Sequence, residues 1–349
     1  MKSTMARLPL GAVSGLAAMA LLAVPPAGAE SFYKGKTIEL AIGGSPGGGY
    51  DTYGRTVARH IGKYIPGNPT IVPKNRPGAG SRKAAAWLYN VAPKDGTAIA
   101  ILFPGAIMDP VIRPKKAKFD TTKFNFLGSA NRESRTCISW HTSPVKTFKD
   151  LFTKPLIVSG SARGGSSRDF PNFLNNLLGT KFTIVSGYKG TKTMLLAIER
   201  GETQGLCGYA WTSFNLQRPD WIKEGKVNIL VQLAMAPTEG MTKLGVPMIW
   251  DFVKSKEHRE IMEFFFKQQE FGRPFVAPPG VPAKRLAILR KAFMAVLKDD
   301  DLLKDAKKSR IVINPVSGEE VKKLVLELFA LPKSRIERTI AATKFKKKK

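Results

Sequence analysis

Residues 37–51 read TIELAIGGSPGGGYD, and this stretch predicts the fold of the chain. The first six residues are mostly apolar or β-branched, which is typical of a buried strand. Five glycines follow between positions 43 and 49, and from Asp51 the apolar residues recur at helical spacing. A glycine-rich loop that opens a helix exposes backbone N–H groups at the positive end of the helix dipole. The stretch therefore predicts an anion-binding loop.

The same unit is repeated directly downstream. A short apolar run at 69–73 leads into a second turn-rich loop at 75–81, then a helix, and a third apolar run covers 98–103. Strands that alternate with helices predict a parallel sheet with right-handed crossovers. Ligands bind beyond the carboxyl ends of such strands. Both glycine-rich loops are predicted to lie at that edge.

A second α/β unit is predicted after residues 110–132, a Lys- and Pro-rich stretch that we interpret as a crossing between domains. Two further glycine-rich loops follow strands there, at 160–167 and 187–191. The end of the chain is predicted to be mostly helical, after an extended connector at 272–282. The predicted strands of the second unit are 136–140, 155–159, 182–186, 204–210 and 227–232, with a short helix opening within 144–152.

The first 29 residues have the pattern of a secretory signal. Lys2 and Arg7 precede an apolar run at 8–24, and an A-x-A site at 27–29 predicts cleavage after Ala29. No cysteine is present at that site, so we predict no lipid anchor. An uncleaved membrane anchor is the alternative, which the short apolar run disfavours.

The formal net charge of +29 becomes +27 once the signal, with its two basic residues and no acid, is removed. Such a charge suits nucleic acid, an anionic surface or anionic small molecules. The lysines are mostly scattered and no aromatic-interleaved basic motif occurs, so we predict no nucleic-acid partner. The basic tail at 346–349 is interpreted as a solvated end.

Cysteines and histidines give little sign of a reactive or metal centre. Cys137 and Cys207 predict either a disulfide or two buried thiols, since an exported chain meets oxidising conditions. His60, His141 and His258 match no metal-ligand spacing. We therefore predict no metal site and no cofactor.

A hydrolase is the competing interpretation of the first loop, because GGSPG at 43–47 satisfies the nucleophile-elbow pattern G-x-S-x-G. The residue after the serine must donate its N–H to an oxyanion, and Pro46 has none. Proline also pushes Ser45 toward extended backbone, unlike the strained turn of the elbow. The chain is therefore predicted not to be an enzyme.

Anion capture is the remaining interpretation. Ser45 and the amides of residues 47–49 can bind a carboxylate, while Asp51 either contacts the ligand or only caps its helix. Several other side chains have a binding and a structural interpretation, both open at this point: Arg163, Arg168, Tyr188, Lys189 and Trp211.

Several motifs, in order along the mature chain, resemble those of the solute-binding proteins of tripartite tricarboxylate transporters, the TctC or Bug family. They are YKGKT at 33–37, GSPGGGYD at 44–51, KNRPGAG at 74–80, PKDGT at 93–97, GYKG at 187–190 and APPGVP at 277–282.

The resemblance implies a type II periplasmic-binding-protein fold, an α/β architecture in which two lobes joined by a hinge enclose a ligand cleft. Lobe 1 would comprise 30–134 plus 235–349, and lobe 2 would comprise 135–234. The first-lobe loops would hold one carboxylate, largely through backbone and water, and the second-lobe loops would meet the rest of the ligand. The candidate ligand-binding residues are Ser45, Gly47, Gly48, Gly49, Asp51, Gly78, Ala79, Gly80, Ser81, Gly165, Ser166, Tyr188, Lys189 and Thr191.

The chain departs from the family pattern in three places. Asp169 stands where a histidine is common, within RGGSSRD at 163–169. TQGLCG at 203–208 lacks the two carboxylates usual in that stretch, and two glycines at 43–44 replace a Pro-Phe pair. These differences concern the distal half of the pocket most.

The resemblance implies a periplasmic protein that captures a small carboxylate and delivers it to a membrane permease of the tripartite tricarboxylate type. A sensor or chemoreceptor partner with the same fold is one alternative. A polyanion-binding protein is another, which predicts affinity that falls steeply with salt.

Overall fold

The computed structural model describes residues 32–114 and 117–345. The predicted signal peptide and the basic tail lie outside the described residues. The strands, in chain order, are β1 Thr37–Ile42, β2 Thr70–Asn75, β3 Ala98–Ile101, β4 Asn125–Ser129, β5 Arg135–Trp140, β6 Leu156–Gly160, β7 Phe182–Ser186, β8 Gly205–Ala210, β9 Val227–Leu233, β10 Pro274–Ala277 and β11 Val316–Ser317.

Helices surround these strands, and none of the described ones is both long and apolar enough to cross a bilayer. They are α1 Gly49–Ile61, α2 Arg82–Asn90, α3 Pro104–Ile107, α4 Asp109–Ile112, α5 Ser166–Leu178, α6 Thr191–Glu199, α7 Trp211–Gln217, α8 Pro219–Lys223, α9 Glu239–Thr242, α10 Lys256–Lys267, α11 Ala283–Val296, α12 Asp300–Lys308, α13 Gly318–Phe329 and α14 Lys333–Thr343.

Two separate sheets organise the chain. The first has the order β11-β4-β10-β3-β1-β2, and the second has the order β7-β6-β8-β5-β9. The pairs β1–β2, β1–β3, β6–β7 and β6–β8 are parallel, as the strand–helix alternation predicts. In each sheet one strand runs antiparallel through the middle, β10 in the first and β5 in the second. The predicted two-lobed α/β architecture is confirmed.

Each sheet is covered by apolar side chains on both faces. In β1, Leu40 packs on one face with α1 and α11, while Ala41 packs on the other with α2 and α13. In the second sheet, neighbouring residues 137 and 138 of β5 likewise enter different cores. This alternation is the period-2 pattern of a strand buried on both sides.

Three expectations about secondary structure need correction or completion. The stretch at 110–132 contains β4, and the connector at 272–282 contains the central strand β10. The short helix expected within 144–152 is a single 3-10 turn at Lys149–Phe152. It stays short because the Asp150 carboxylate accepts N–H groups from Lys146 and Thr147, which closes a local turn.

Two helices that the predicted division assigns to lobe 1 pack against the second sheet instead. Phe265 of α10 stacks on Phe173 of α5, with ring centroids 4.1 Å apart. Asn176 of α5 donates to the carbonyl of Ala342 in α14 at 2.7 Å. Because α10 also places Phe264 in the first lobe's core, it bridges both lobes. The division of the chain at 235 stays a prediction.

The chain crosses between the sheets twice, through residues 130–134 and through the segment between β9 and β10. A buried ion pair lies where these crossings meet: Arg273 contacts Glu133 at 2.8 Å, and both side chains are fully buried. Glu133 also accepts the hydroxyl of Thr212, at the start of α7. The second sheet carries the disulfide, formed by Cys137 and Cys207 on the paired strands β5 and β8; the sequence had left this pairing open.

Candidate functional site

A cavity of about 680 Å³ lies between the two sheets. Its walls are the loops that follow the carboxyl ends of six strands: β1, β2 and β3 from the first sheet and β6, β7 and β8 from the second. The strand pattern predicts a site at this edge of each sheet, because parallel strands release their loops there.

Twelve of the fourteen candidate residues line this cavity. They are Ser45, Gly48, Gly49, Gly78, Ala79, Gly80, Ser81, Gly165, Ser166, Tyr188, Lys189 and Thr191. Gly47 and Asp51 do not line it. That any of these residues contacts a ligand stays a prediction.

Four of the longer helices begin at the cavity wall: α1, α2, α5 and α6. The first N–H groups of a helix have no partner within the helix, and the helix dipole adds partial positive charge there. Residues of these first turns that line the cavity include Gly49, Tyr50, Ser166, Ser167, Thr191 and Lys192. The cavity is therefore built to receive negative charge.

Asp51 stabilises the first glycine-rich loop without lining the cavity. Its buried carboxylate accepts the Gly47 N–H at 2.8 Å, Arg55 Nε at 2.8 Å and Asn75 Nδ2 at 2.9 Å. Asn75 also donates to the carbonyl of Gly44 at 3.0 Å, which ties the end of β2 to the same loop. The Gly47 N–H is thus already engaged, so Asp51 and Gly47 shape the loop rather than face the cavity.

Ser81 joins the three loops of the first lobe. Ser81 is buried, and its backbone adopts the left-handed conformation with φ of 72°. Its Oγ accepts the Phe103 N–H at 3.2 Å. A Cβ added to Gly43 would lie 1.8 Å from this oxygen. The absence of a side chain at position 43 allows this close approach.

The two lobes touch across the cavity. Ser45 Oγ donates to the carbonyl of Lys189 at 2.7 Å. A Cβ on Gly80 would lie 2.6 Å from the carbonyl carbon of Gly164, so the backbones of the two loops are in direct contact. The structure therefore has a closed cleft.

Among the described residues, no side-chain base accepts a hydrogen bond from the Ser45 hydroxyl. Its hydroxyl is used by the Lys189 carbonyl, and no histidine of the described chain lines the cavity. His60 instead lies 3.0 Å from Asp305, on the outer side of α1. Across residues 32–114 and 117–345, no group of three potential metal ligands is present either.

A buried charged cluster lies where α2, α4 and α5 approach one another. Asp169 accepts the Gly164 N–H at 2.8 Å, and burial raises the pKa of its carboxyl to about 6, against the opposing effect of nearby arginines. Asp109 pairs with Arg113, and Arg82 Nη1 lies 3.7 Å from the same carboxylate. Burial and the neighbouring cations lower the pKa of Arg113 to about 10.

The remaining open residues lie mostly outside the cavity wall. Arg163 lines a small adjoining pocket with Arg113, and Arg168 lies over the ring of Phe345 at 4.0 Å. Trp211 packs against Phe214, with centroids 5.7 Å apart. Tyr188 does line the cavity, and its hydroxyl donates to Glu202 at 3.3 Å.

Arg135, the first residue of β5, was not predicted as a site residue. Its side chain lines the cavity although the residue is only 7% exposed. Nη1 donates to Ser166 Oγ at 2.9 Å and to the carbonyl of Gly208 at 3.0 Å. The predicted strand began one residue later, and a lone arginine beside a polar turn carries no local signal of burial.

A scan against protein-family models gives no match, and a search of curated proteins gives none either. Solved structures do match. BugD, a periplasmic binding protein, aligns with a TM-score of 0.69 and 18% identity over 89% of this chain and 98% of BugD.

Two further structures are similar. MatC from Rhodopseudomonas palustris, solved with malate, aligns with a TM-score of 0.68 and 20% identity over 88% of this chain and 99% of MatC. A TctC solute-binding protein from Polaromonas gives 0.60 and 18%, over 88% and 99%. The chain therefore has the two-lobed fold of periplasmic binding proteins of the Bug and TctC type, as its motifs predict.

Proposed function

We propose that this protein is an exported solute-binding protein of the TctC or Bug family. It captures a small carboxylate between its lobes in the periplasm and delivers it to a membrane permease of the tripartite tricarboxylate type. The observation that carries the proposal is the closed cavity at which four of the longer helices begin. Neutral amides at helix N-termini suit a carboxylate that must later be released.

The energy scale is consistent with binding and release. Micromolar affinity corresponds to about −8 kcal/mol. Three or four charge-assisted hydrogen bonds of ~1.5–3 kcal/mol each supply this after the losses of ordering and desolvation. The malate held by MatC, a protein of the same fold, supports a carboxylate as the ligand class.

A binding role also fits Ser45 better than catalysis does. Its hydroxyl donates to a carbonyl of the opposite lobe, and the following residue is Pro46, which has no N–H for an oxyanion. We infer that Ser45 contributes to lobe closure. The sensor alternative shares the same site and differs only in the partner that recognises the closed form.

A thermal-shift screen tests the proposal. The mature chain, starting at Glu30 and freed of co-purified ligand by unfolding and refolding, is screened against mono-, di- and tricarboxylates, with amines and neutral sugars as controls. A ligand at a hundred times its dissociation constant adds about 2.7 kcal/mol of stability, so the melting temperature rises. Shifts with sugars or amines but with no carboxylate would overturn the proposal.

The dependence of affinity on salt concentration distinguishes carboxylate binding from the polyanion alternative. Binding of a small carboxylate in a closed cleft is expected to weaken little between 50 and 200 mM salt, whereas polyanion binding through many surface lysines falls by orders of magnitude. Uptake of the identified carboxylate by cells that carry or lack a permease of the tripartite tricarboxylate type then distinguishes transport from sensing.

A further inference from the structure

The charge that lines the cavity is distributed unequally between the lobes. The first-lobe wall consists of backbone amides, hydroxyls and apolar side chains, without a lysine or arginine among its described lining residues. All cations of the wall come from the second lobe. Lys189 and Lys192 are exposed at its rim, and Arg135 is buried.

Arg135 is held in a fixed position but lacks a counter-ion. Ser166 Oγ and the carbonyl of Gly208 accept hydrogen bonds from Nη1. Nε is buried without any partner, and no carboxylate of the described residues forms a salt bridge with this guanidinium. The ring of Phe170 lies 5.5 Å from it and excludes water from one side.

Arg273, another deeply buried arginine near the cleft, has the counter-ion that Arg135 lacks. Arg273 is fully buried and has Glu133 at 2.8 Å. A buried guanidinium needs a compensating anion, because desolvation of an unpaired charge is strongly unfavourable. Arg273 finds this anion within the chain. Arg135 faces the cavity, so its anion is expected to come from the ligand.

The space between the two anion sites is apolar. The helix N-termini of the first lobe lie on one side of the cavity and Arg135 on the other. The lining side chains include Tyr50, Phe103, Phe170, Met194, Leu206 and Phe265. A cavity of about 680 Å³ is also far larger than a four-carbon diacid requires, since pockets of ~300–1,000 Å³ accommodate drug-sized ligands.

We propose that Arg135 binds a second anionic group of the ligand, so that the preferred ligand is an elongated dicarboxylate with an apolar segment between its charges. This inference rests on the proposed function and adds to it the residue that selects among carboxylates. One carboxylate binds the neutral amides of the first lobe. The other forms a charge-assisted pair with the Arg135 guanidinium, which Ser166 orients.

The first experiment uses the unmodified protein and needs no variant. Calorimetry compares the linear diacids succinate, glutarate, adipate and suberate with the monocarboxylates of equal length and with the monomethyl esters of the same diacids. Removing the second charge while keeping the length is expected to weaken binding about ten- to a hundredfold. Adipate and suberate are expected to bind more tightly than succinate. Equal affinity of diacid and monoester overturns the inference.

The second experiment assigns the effect to Arg135. Arg135→Gln is expected to lose the preference for the diacid while it retains binding of the monocarboxylate. Arg135→Lys is expected to keep part of the preference, because the charge remains. Arg218→Gln serves as the control, since Arg218 pairs with Glu199 and does not line the cavity.

The outcomes are distinguishable. Diacid affinity unchanged in Arg135→Gln, or mono- and diacid affinities reduced by the same factor, contradicts a direct contact with the second charge. If the unmodified protein binds monocarboxylates without preferring diacids, only this inference fails. If it binds no carboxylate at all, the proposed function fails with it. Should Arg135→Gln not fold, Arg135→Lys takes its place: a diacid preference equal to that of the unmodified protein contradicts a direct contact with the guanidinium, and a reduced preference with unchanged monocarboxylate binding supports it.

Discussion

Each lobe has a glycine-rich loop held by an aspartate in the first turn of the helix that follows, and the two loops differ in how that aspartate is surrounded. In the first lobe the Gly47 N–H donates to Asp51 at 2.8 Å. In the second the Gly164 N–H donates to Asp169, also at 2.8 Å. Both acids lie near a helix N-terminus, where a carboxylate is favoured by the helix dipole.

The surroundings of the two carboxylates separate their roles. Asp51 has dedicated partners, Arg55 on the same helix and Asn75 at the end of the neighbouring strand. Asp169 has only the Gly164 N–H as a hydrogen-bond donor among the described residues, and burial raises its pKa to about 6. The Asp51 carboxylate thus has several hydrogen-bond donors, whereas the Asp169 carboxylate has one, from its own loop. We expect the first loop to be rigid and the second to respond to closure.

The largest effect is expected from keeping the two loops apart. A Cβ at Gly80 would lie 2.6 Å from the carbonyl carbon of Gly164, so Gly80→Leu blocks closure. We expect the ligand-induced rise in melting temperature to disappear and small-angle scattering to report an open form. Gly179→Leu is the matched control, because its φ of 73° is similar to the 63° of Gly80 but no atom lies within 4 Å of its Cβ. Retention of the ligand-induced rise in Gly80→Leu would contradict the closed cleft.

A pH-dependent effect is expected from the second-lobe aspartate. The folded pKa of Asp169 is raised, so its contribution to stability is present below about pH 4 and is lost as the pH rises through about 6. Asp169→Asn keeps an acceptor for the Gly164 N–H and removes the titration. Above pH 6 the variant is expected to be more stable, by an amount on the order of 3 kcal/mol at most.

Urea denaturation of both proteins between pH 4 and 7 measures this difference. Glu239→Gln, at a position where the side chain is 81% exposed, is the control and is expected to show no such trend. A difference between Asp169→Asn and the unmodified protein that stays constant across this range would show that Asp169 does not titrate there.

A smaller loss, in the free energy of unfolding, is expected when Asp51 no longer stabilises the first glycine-rich loop. Asp51→Ala leaves the Gly47 N–H and one N–H of the Asn75 amide without their acceptor and is expected to cost about 1–3 kcal/mol in unfolding free energy. Arg55→Ala is the control. It removes the partly exposed ion pair with Asp51, worth under about 1 kcal/mol, and the Arg55 Nη2 hydrogen bond to Asn75 Oδ1, but it leaves the Asp51 carboxylate as the acceptor of the Gly47 N–H. Equal losses in the two variants would mean that the carboxylate does not organise the loop.

The smallest effect is expected at the contact between the lobes. Ser45→Ala removes one hydrogen bond to the Lys189 carbonyl, worth about 0.5–1.5 kcal/mol, and disfavours the closed form only. Carboxylate affinity is expected to fall roughly three- to tenfold while the melting temperature of the ligand-free protein stays unchanged. An ester-hydrolysis activity that disappears with this substitution would instead favour the hydrolase interpretation.

Most of the parallel core was predictable because its signals are local. The strands at 69–73, 155–159 and 182–186 are short apolar runs bounded by turn residues, and each is present within a residue or two of its predicted position. β4 and β10 escaped prediction because nothing local distinguishes them. Phe275 and Val276 lie between Pro274 and Pro278, shortly after Gly272. They become a strand only by pairing with β3 and β4, which are distant in sequence.

In the candidate site, too, features with a local sequence signal were predictable and features that depend on distant residues were not. The glycine-rich loops were predictable, since strand, loop and helix start are adjacent in the chain. Arg135 was not, because its burial depends on Ser166 and Gly208, which are 31 and 73 residues away. The part played by Asp51 was open between capping and ligand binding, and the approach of Asn75 from another strand favours a role in shaping the loop.

The sequence by itself thus determined two α/β units and the edge of each sheet whose loops line the cavity, and it predicts that those loops bind an anion. These follow from side-chain period, glycine spacing and backbone dipoles, which act over a few neighbouring residues. Tertiary structure alone decided where α10 and α14 pack, which aspartate is buried among arginines and which arginine faces the cavity. Those properties depend on burial and on partners brought together from distant parts of the chain, and a linear pattern does not record them.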